Sequence, residues 1–289
     1  MLSIVILTKN EERDLQSCLD SVAWSDDVVV FDSHSTDRTA DIALSFGARV
    51  IGRKFDNYAA QRNASLHEVS YKNAWILILD ADETVPLQLQ EELLDFATNA
   101  APDISAGRIR RRDYFMGTWL KHSQLSPYFV RVVRPEFVRY EREVNEVLRV
   151  DGAIHDLASH FNHYPFSKGI EHWVAKHNTY STMEAQLILR ERADEVRLSV
   201  SRACFSRDFN ERRVHQKRLF YRLPLRPLLK FVLTYFARLG FLDGRAGLKY
   251  AILQAIYEYL IVLKTTELAS QPLRRSSLPR DDAPRSAVP

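Results

Sequence analysis

The feature that most limits what this chain can fold into is a rhythm in its first hundred or so residues. Four short runs, Ser3–Leu7, Val28–Phe31, Arg49–Ile51 and Trp75–Leu79, are predominantly apolar, and helix-compatible segments separate them. A strand with one wet face alternates apolar and polar residues; these runs do not, so they read as strands buried on both faces. Asn10–Val22, Asp37–Phe46 and Tyr58–Val69 read as helices, and another runs from Pro86 to about Thr98. Asp37 is expected to cap its helix, Gly47 to stop it, and Pro86 to sit in the first turn of the fourth. Helices alternating with doubly buried strands predict an α/β fold, doubly wound around a mainly parallel sheet.

That architecture predicts where a ligand binds, because open parallel sheets hold ligands beyond the carboxyl ends of their strands. Three of the four expected strand ends carry polar clusters: Thr8-Lys9-Asn10-Glu11, Asp32-Ser33-His34-Ser35 and Asp80-Ala81-Asp82-Glu83. They are expected to converge on one edge.

The third cluster is the most unusual, since five apolar residues run straight into three acids. In an extended chain Asp80 and Asp82 face the same side. Carboxylates roughly 6–7 Å apart repel by about 2–3 kcal/mol at an effective dielectric near 20, and a divalent cation turns that repulsion into attraction. Oxygen ligands of this kind suit Mg2+ or Mn2+, with a phosphate completing the shell. A plainer reading makes Asp82 or Thr84 the cap of the helix near Pro86, and leaves Asp80 unexplained. The segment Asp80-Ala81-Asp82-Glu83-Thr84 also resembles the nucleophile loop of haloacid-dehalogenase-type phosphohydrolases. That alternative needs a later strand ending in a second acidic pair, and Asp281-Asp282 falls in a Pro- and Ser-rich tail instead.

Composition narrows the remaining classes. At 289 residues the chain is one large domain, or one domain with an appendage. A net charge of +3 is too small to make nucleic acid a partner. Cys18 and Cys204 form no metal or disulfide pattern, which suits a reduced compartment. The apolar run at Met1–Leu7 follows no basic leader, so no signal peptide is expected. No stretch of about eighteen residues is free of charge, so no spanning helix is expected either. The chain therefore reads as cytoplasmic.

Toward the C-terminus a helix is expected over Gly169–Arg192. Between Arg202 and Lys230 nine Lys or Arg meet only two acids. Two apolar helices follow, near Leu228–Leu239 and Gly247–Lys264, the first with Arg226, Lys230, Thr234 and Arg238 in one stripe. Two arrangements are open. The region is an interfacial anchor at the inner face of the membrane, its cations on anionic headgroups, or a helical appendage packed on the rest of the protein.

Taken in order, Ser3-Ile4-Val5-Ile6-Leu7-Thr8-Lys9-Asn10-Glu11, Asp32-Ser33-His34-Ser35-Thr36-Asp37-Arg38-Thr39, Gln61-Arg62-Asn63 and Leu79-Asp80-Ala81-Asp82-Glu83 resemble family 2 glycosyltransferases with a GT-A fold. The chain is most similar to the branch that includes lipopolysaccharide-core glucosyltransferases, with a family-like Gly240-Phe241-Leu242-Asp243-Gly244 further on. The resemblance implies a Rossmann-like GT-A catalytic domain over residues 1–200. A basic amphipathic helical appendage over 201–268 and a disordered tail over 269–289 complete the expected layout. It implies inverting transfer of a hexose from a nucleotide-sugar donor, preferably UDP-linked, to a glycan or lipid-linked acceptor in cell-envelope polysaccharide synthesis. A non-catalytic nucleotide- or membrane-binding relative is the further alternative.

Residue by residue, Thr8, Asn10 and Glu11 match the first nucleotide-contacting strand end, and Asp32 matches the acid that recognises the base. Arg62 matches a cation for the diphosphate, Asp80 a contact to ribose or donor sugar, and Asp82 a metal ligand. His163, in Phe161-Asn162-His163-Tyr164-Pro165, matches a further metal ligand, with His155 and His160 nearby. Glu146 aligns with the family's catalytic base; Asn145 stands where the family often has histidine, and Glu141 and Glu143 are competitors.

Overall fold

Strands β1 (Ser3–Thr8), β2 (Val28–Asp32), β3 (Arg49–Gly52) and β4 (Ile76–Asp80) form the parallel sheet that the spacing predicts, in the order β3-β2-β1-β4. The computed structural model describes residues 1–141, 147–193, 199, 201–202 and 209–270. Helices α1 (Leu15–Ser21), α2 (Thr39–Phe46), α3 (Tyr58–His67) and α4 (Leu87–Asn99) connect and flank the strands. Burial on both faces is visible in β1: Ile4 and Ile6 enter one core with α1 and α4, while Val5 enters a second core with α3. In β4, Ile76, Leu77, Ile78 and Leu79 are each at most 1% exposed. Burying each such side chain contributes roughly 1.5–3 kcal/mol.

The sheet then departs from parallel order. It continues through β8 (Phe129–Val133), β6 (Ile104–Phe115), β11 (Ala153–His163) and β5 (Glu83–Thr84), while β7 (Thr118–Trp119) pairs with β6. Strand β8 is antiparallel to both β4 and β6, whereas β6 and β11 run parallel. A second, two-stranded sheet joins β9 (Val138–Glu141) and β10 (Val147–Val150).

Three local expectations change. Helix α1 starts at Leu15, five residues later than Asn10, because Asn10 adopts φ 56° and the loop after β1 is bonded to the loop after β2. Arg38 occupies the cap position of α2; Asp37, one residue earlier, accepts from the Thr39 amide (3.0 Å). Gly47 stops α2 as expected, at φ 88°. Helix α4 is preceded by Pro86 with no side-chain cap, so neither Asp82 nor Thr84 serves that purpose.

Beyond β11 the structure has α5 (Gly169–Ala193), α6 (Phe209–Phe220), α7 (Arg226–Val232), a π-helical turn at Leu233–Ala237, a 3-10 turn at Gly240–Asp243 and α8 (Gly244–Ser270). The chain divides into two compact units. One comprises Met1–Val174 and Val232–Ala251, the other Ala175–Phe231 and the chain from Ile252 onward. The division thus follows contacts across the chain and not a single boundary near residue 200. In the second unit, Lys217 pairs with Glu184 (2.7 Å) and Arg226 with Glu258 (3.4 Å). Arg226 and Thr234 are buried, which removes two members of the expected surface stripe. Contrary to the sequence expectation, the continuous helical stretch Gly240–Ser270 is long and apolar enough to cross a membrane, by length and composition alone. Cys18 is free and buried; Cys204, like the tail from residue 271, lies outside the described residues.

Candidate active site

The pairing register brings the strand ends together. Thr8 lies opposite Asp32 and Leu7 opposite Asp80, so the polar clusters after β1, β2 and β4 share one edge. The first two clusters form a hydrogen-bonded bracket. Asp32, 5% exposed, accepts from Thr8 Oγ1 (2.8 Å), the Ser35 amide (2.7 Å) and Ser35 Oγ (2.5 Å). A carboxylate offers about four acceptor positions, so Asp32 retains one for a ligand. The Asn10 amide donates to Ser35 Oγ (2.8 Å), and Asn10 Oδ1 accepts from the Thr36 amide (2.8 Å). Asn tolerates the left-handed backbone of this turn better than most residues do. Lys168 Nζ then donates to Glu11 Oε1 (2.7 Å) and to the Asn10 carbonyl (2.9 Å). Burial pushes the Glu11 carboxyl above its usual range, with Lys168 opposing.

The acidic cluster is built differently. Asp80 ends β4, the chain turns at Ala81-Asp82, and Glu83 begins β5. Because the backbone does not stay extended, the two aspartates meet different partners. Asp80 Oδ2 pairs with Arg131 (2.9 Å) and its Oδ1 lies 3.5 Å from Arg62. Burial alone would raise the Asp80 carboxyl, but Arg131 and Arg62 outweigh it and hold it well below the usual range. The Arg62 guanidinium also sits 5.6 Å from the ring centre of Tyr140.

Glu83 is fully buried, and its Oε1 pairs with Arg131 (2.7 Å) while its Oε2 accepts from the Asp80 amide (3.0 Å). Burial pushes its carboxyl up to about 7; Arg131 opposes this, and the neighbouring Asp80 charge adds to it. Arg131 stays charged, since Glu83 and Asp80 outweigh its own desolvation. The sequence left Glu83 without a role and did not single out Arg131. The available signal was a lone cation inside the apolar run Phe129-Val130-Arg131-Val132-Val133, which demands a buried partner.

Asp82 faces His163. Strand β5 pairs antiparallel with the end of β11, placing His163 opposite Glu83, and the Tyr164 amide donates to the Asp82 carbonyl (2.9 Å). His163 Nε2 lies 3.5 Å from Asp82 Oδ2, while His163 Nδ1 bonds Asp113 Oδ1 (2.6 Å). Burial would depress this imidazole, but Asp113 and then Asp82 raise it to about 9. Asp113, 3% exposed, was missed in the sequence because it lies 50 residues from the histidine that it orients.

This donor set fits a divalent cation. Two ligands each about 2.1 Å from one ion in adjacent octahedral positions stand about 3 Å apart, close to the Asp82–His163 spacing. A carboxylate holding the far nitrogen of a ligating histidine is also the usual support for such a ligand. No cluster of three or more His, Cys, Asp or Glu suited to a metal occurs among the described residues. Water and phosphate oxygens would therefore complete the shell, as hard cations commonly require.

Among the described residues, Glu141, His155 and His160 do not join this constellation. Glu146, the expected base, and its competitor Glu143 lie outside the described residues. Glu141 is tied to Arg139 (2.8 Å) and Arg149 (3.1 Å) at the surface. His155 stacks on Phe96, their ring centres 5.5 Å apart, and His160 lies beside Trp119.

Comparison with known proteins is consistent across the chain. Residues 3–167 match the family model described as glycosyl transferase family 2. The chain is similar to an uncharacterized glycosyltransferase of Rickettsia typhi, 27% identical over 93% of this chain and 87% of that protein. It is also 26% identical to the lipopolysaccharide core biosynthesis glycosyltransferase LpsC of Rhizobium meliloti, over 91% of each. Among solved structures, the mannosyltransferase PcManGT of Pyrobaculum calidifontis, in complex with GDP-Man and Mn2+, aligns with a TM-score of 0.54 at 14% identity. That alignment covers 92% of this chain and 86% of the other, and it carries the GT-A fold.

Proposed function

The chain belongs to glycosyl transferase family 2, and on that premise we propose that its strand-end site transfers a hexose, by preference glucose from a UDP-linked donor, with inversion, to a glycan or lipid-linked acceptor of the cell envelope. The observation that carries the metal-dependent form of this reading is the His163 imidazole, held by Asp113 on one nitrogen and facing Asp82 with the other. A divalent cation held by Asp82 and His163, Mn2+ or Mg2+, would neutralise charge on the departing diphosphate.

The chain's own residues supply the rest. Asp32, fixed by Thr8 and Ser35, offers its remaining acceptor position to an N–H of the base. Asn10 and Glu11, braced by Lys168, shape the rim of the nucleotide site. Asp80 is held ionised beside Arg62 and Arg131, ready to accept from ribose or sugar hydroxyls, and Arg62 supplies a cation for the diphosphate. Glu146 takes the proton from the acceptor hydroxyl as that oxygen attacks the anomeric carbon.

The experiment is thermal stabilisation of the full chain by UDP, with and without Mn2+, in wild type and Asp82→Asn. The wild type is expected to gain a Mn2+-dependent shift that the variant loses; an equal shift in both would remove Asp82 from the metal site. Transfer by Glu146→Gln should vanish while UDP protection persists.

The same protein is proposed to work at an anionic bilayer surface. Within the first unit, Val232–Lys249 exposes Val232, Leu233, Phe236, Leu239, Phe241 and Leu242 beside Arg238, Arg245 and Lys249. Its one acid, Asp243, is buried and accepts from the Ser123 amide (2.7 Å) and from Ser123 Oγ. Apolar surface rimmed by cations without exposed acids suits an anionic interface. Co-sedimentation with phosphatidylglycerol vesicles, weakened by salt and lost in Phe236→Asp/Leu242→Asp, is the expected result. Binding that survives the double substitution would assign it elsewhere.

A further inference from the structure

Strand β6 carries Arg108-Ile109-Arg110-Arg111-Arg112-Asp113, and alternation puts Arg108, Arg110 and Arg112 on one face. Asp113, which orients His163, is on the other. The three arginines are not equivalent. Arg108 is satisfied by a two-pronged pair with Asp156 (Nε–Oδ1 2.6 Å, Nη2–Oδ2 2.8 Å). Arg110 and Arg112, nearer the catalytic end, pair with no carboxylate among the described residues. The Nε atoms of both are buried and unbonded.

All three guanidiniums lie against rings, Arg108 at 5.3 Å and Arg110 at 5.0 Å from Tyr128 and Arg112 at 4.9 Å from Trp119. Lys121 adds a further cation, 5.8 Å from Trp119. The pairing partners from β11 are His160, opposite Arg110, and Asn162, opposite Arg112. Asn162 Oδ1 is likewise buried and unbonded. Burial and then the charges of Arg110 and Arg112 depress the His160 imidazole, and Glu92 opposes them without reversing the direction.

Buried donors without acceptors oppose folding, and native chains keep few of them. Here two adjacent same-face arginines keep theirs, their planes fixed by aromatic stacking so that little side-chain freedom remains to lose on binding. Successive same-face side chains stand about 6.5–7 Å apart on a strand, a span that one tetrahedral oxyanion with several acceptor oxygens can bridge. We propose that Arg110 and Arg112 form a binding site for a phosphate monoester, separate from the site of the donor diphosphate. The inference rests on the glycosyltransferase reading, in which Arg62 already serves the donor diphosphate. The site lies one residue along β6 and β11 from Asp113 and His163, on the opposite face of the strands, and so takes a phosphate other than the donor's. A phosphate monoester carries close to two negative charges at neutral pH, which two unpaired guanidiniums match and a carboxylate does not.

The test uses the full chain with the donor site saturated by UDP and Mn2+. Thermal shifts are then titrated with inorganic phosphate, glucose 6-phosphate and glucuronate. Glucose 6-phosphate is expected to protect the wild type most, inorganic phosphate less, and glucuronate least. Losing the charge-assisted bonds of one arginine is expected to weaken the apparent affinity about tenfold or more. Arg110→Gln and Arg112→Gln should each do so, the double variant should abolish the shift, and Arg108→Gln should retain it. Because the two arginines satisfy no protein acceptor and give up only their ring contacts, the double variant should melt only slightly below wild type. Equal protection of wild type and double variant by glucose 6-phosphate would overturn the proposal. So would equal binding of glucuronate, stronger binding of free phosphate than of the ester, or loss of the UDP shift in the double variant. Failure of the glycosyltransferase reading shows separately, as absence of any UDP–Mn2+ shift in the wild type.

Discussion

The two sides of the strand-end site are made by opposite means. The nucleotide side, from Thr8 to Glu11 and from Asp32 to Thr39, is held by hydrogen bonds between loops that follow neighbouring strands. The metal side is held by buried charge: Asp80 and Glu83 share Arg131, and Asp113 and Asp82 flank His163. The first tolerates loss of any one bond, because several contacts share the task. The second does not, since removing Arg131 strands the fully buried Glu83 where water cannot reach it.

Arg131→Met breaks the metal side most severely. It leaves Glu83 and Asp80 without their shared cation, and urea unfolding should register a loss of about 3–5 kcal/mol. Adding Glu83→Gln to that variant should recover part of it; simple additivity of the two losses would show that the pair is not coupled. Asp113→Asn is expected to weaken Mn2+ binding about 10–100-fold, with UDP binding in the absence of metal unchanged. Calorimetric titration with Mn2+ checks this, and an unaltered affinity would make Asp113 a packing residue only. On the nucleotide side, Ser35→Ala removes the bond to the Asp32 carboxylate and the bond from the Asn10 amide, and should cost about 1–3 kcal/mol of stability.

The mildest effect concerns Asp27, at the opposite end of the same strands. Burial raises its carboxyl, but Ser3 Oγ (2.6 Å), the Lys72 amide (2.8 Å) and Arg49 (2.8 Å) outweigh it and lower it overall. A depressed folded-state value gives stability that is complete above the unfolded value of about 3.9 and lost as pH falls through the folded one. The urea midpoint of the wild type should therefore fall below about pH 4 more steeply than that of Asp27→Asn. Parallel curves would remove Asp27 as a contributor.

The same contrast explains what could be read from the residues alone. The parallel sheet near the N-terminus and the convergence of Thr8, Asn10, Asp32 and Asp80 follow from burial pattern and strand-end polarity, both of which are local. Asp82 entered as one of two same-side carboxylates and His163 through family resemblance, and their juxtaposition depends on β5 pairing with the end of β11. Arg131 and Asp113 were not singled out because no local rule connects them to residues about 50 positions away. The late start of α1 was invisible for a related reason. Asn10-Glu11-Glu12 suits a helix until the loop after β2 claims its amides.

The pairing of β5 with β11 has a consequence for how such a protein can be cut and recombined. Most of what brackets the nucleotide side lies within the first forty or so residues, Gln61, which donates to Ser33 Oγ (3.0 Å), and Lys168 being exceptions. A graft of residues 1–100 would therefore carry that bracket into a new host nearly intact. It would bring Asp82 without His163, and Glu83 without Arg131, so the recipient must furnish both partners from its own later strands. The donor-facing half is portable; the metal-facing half is a property of the whole sheet.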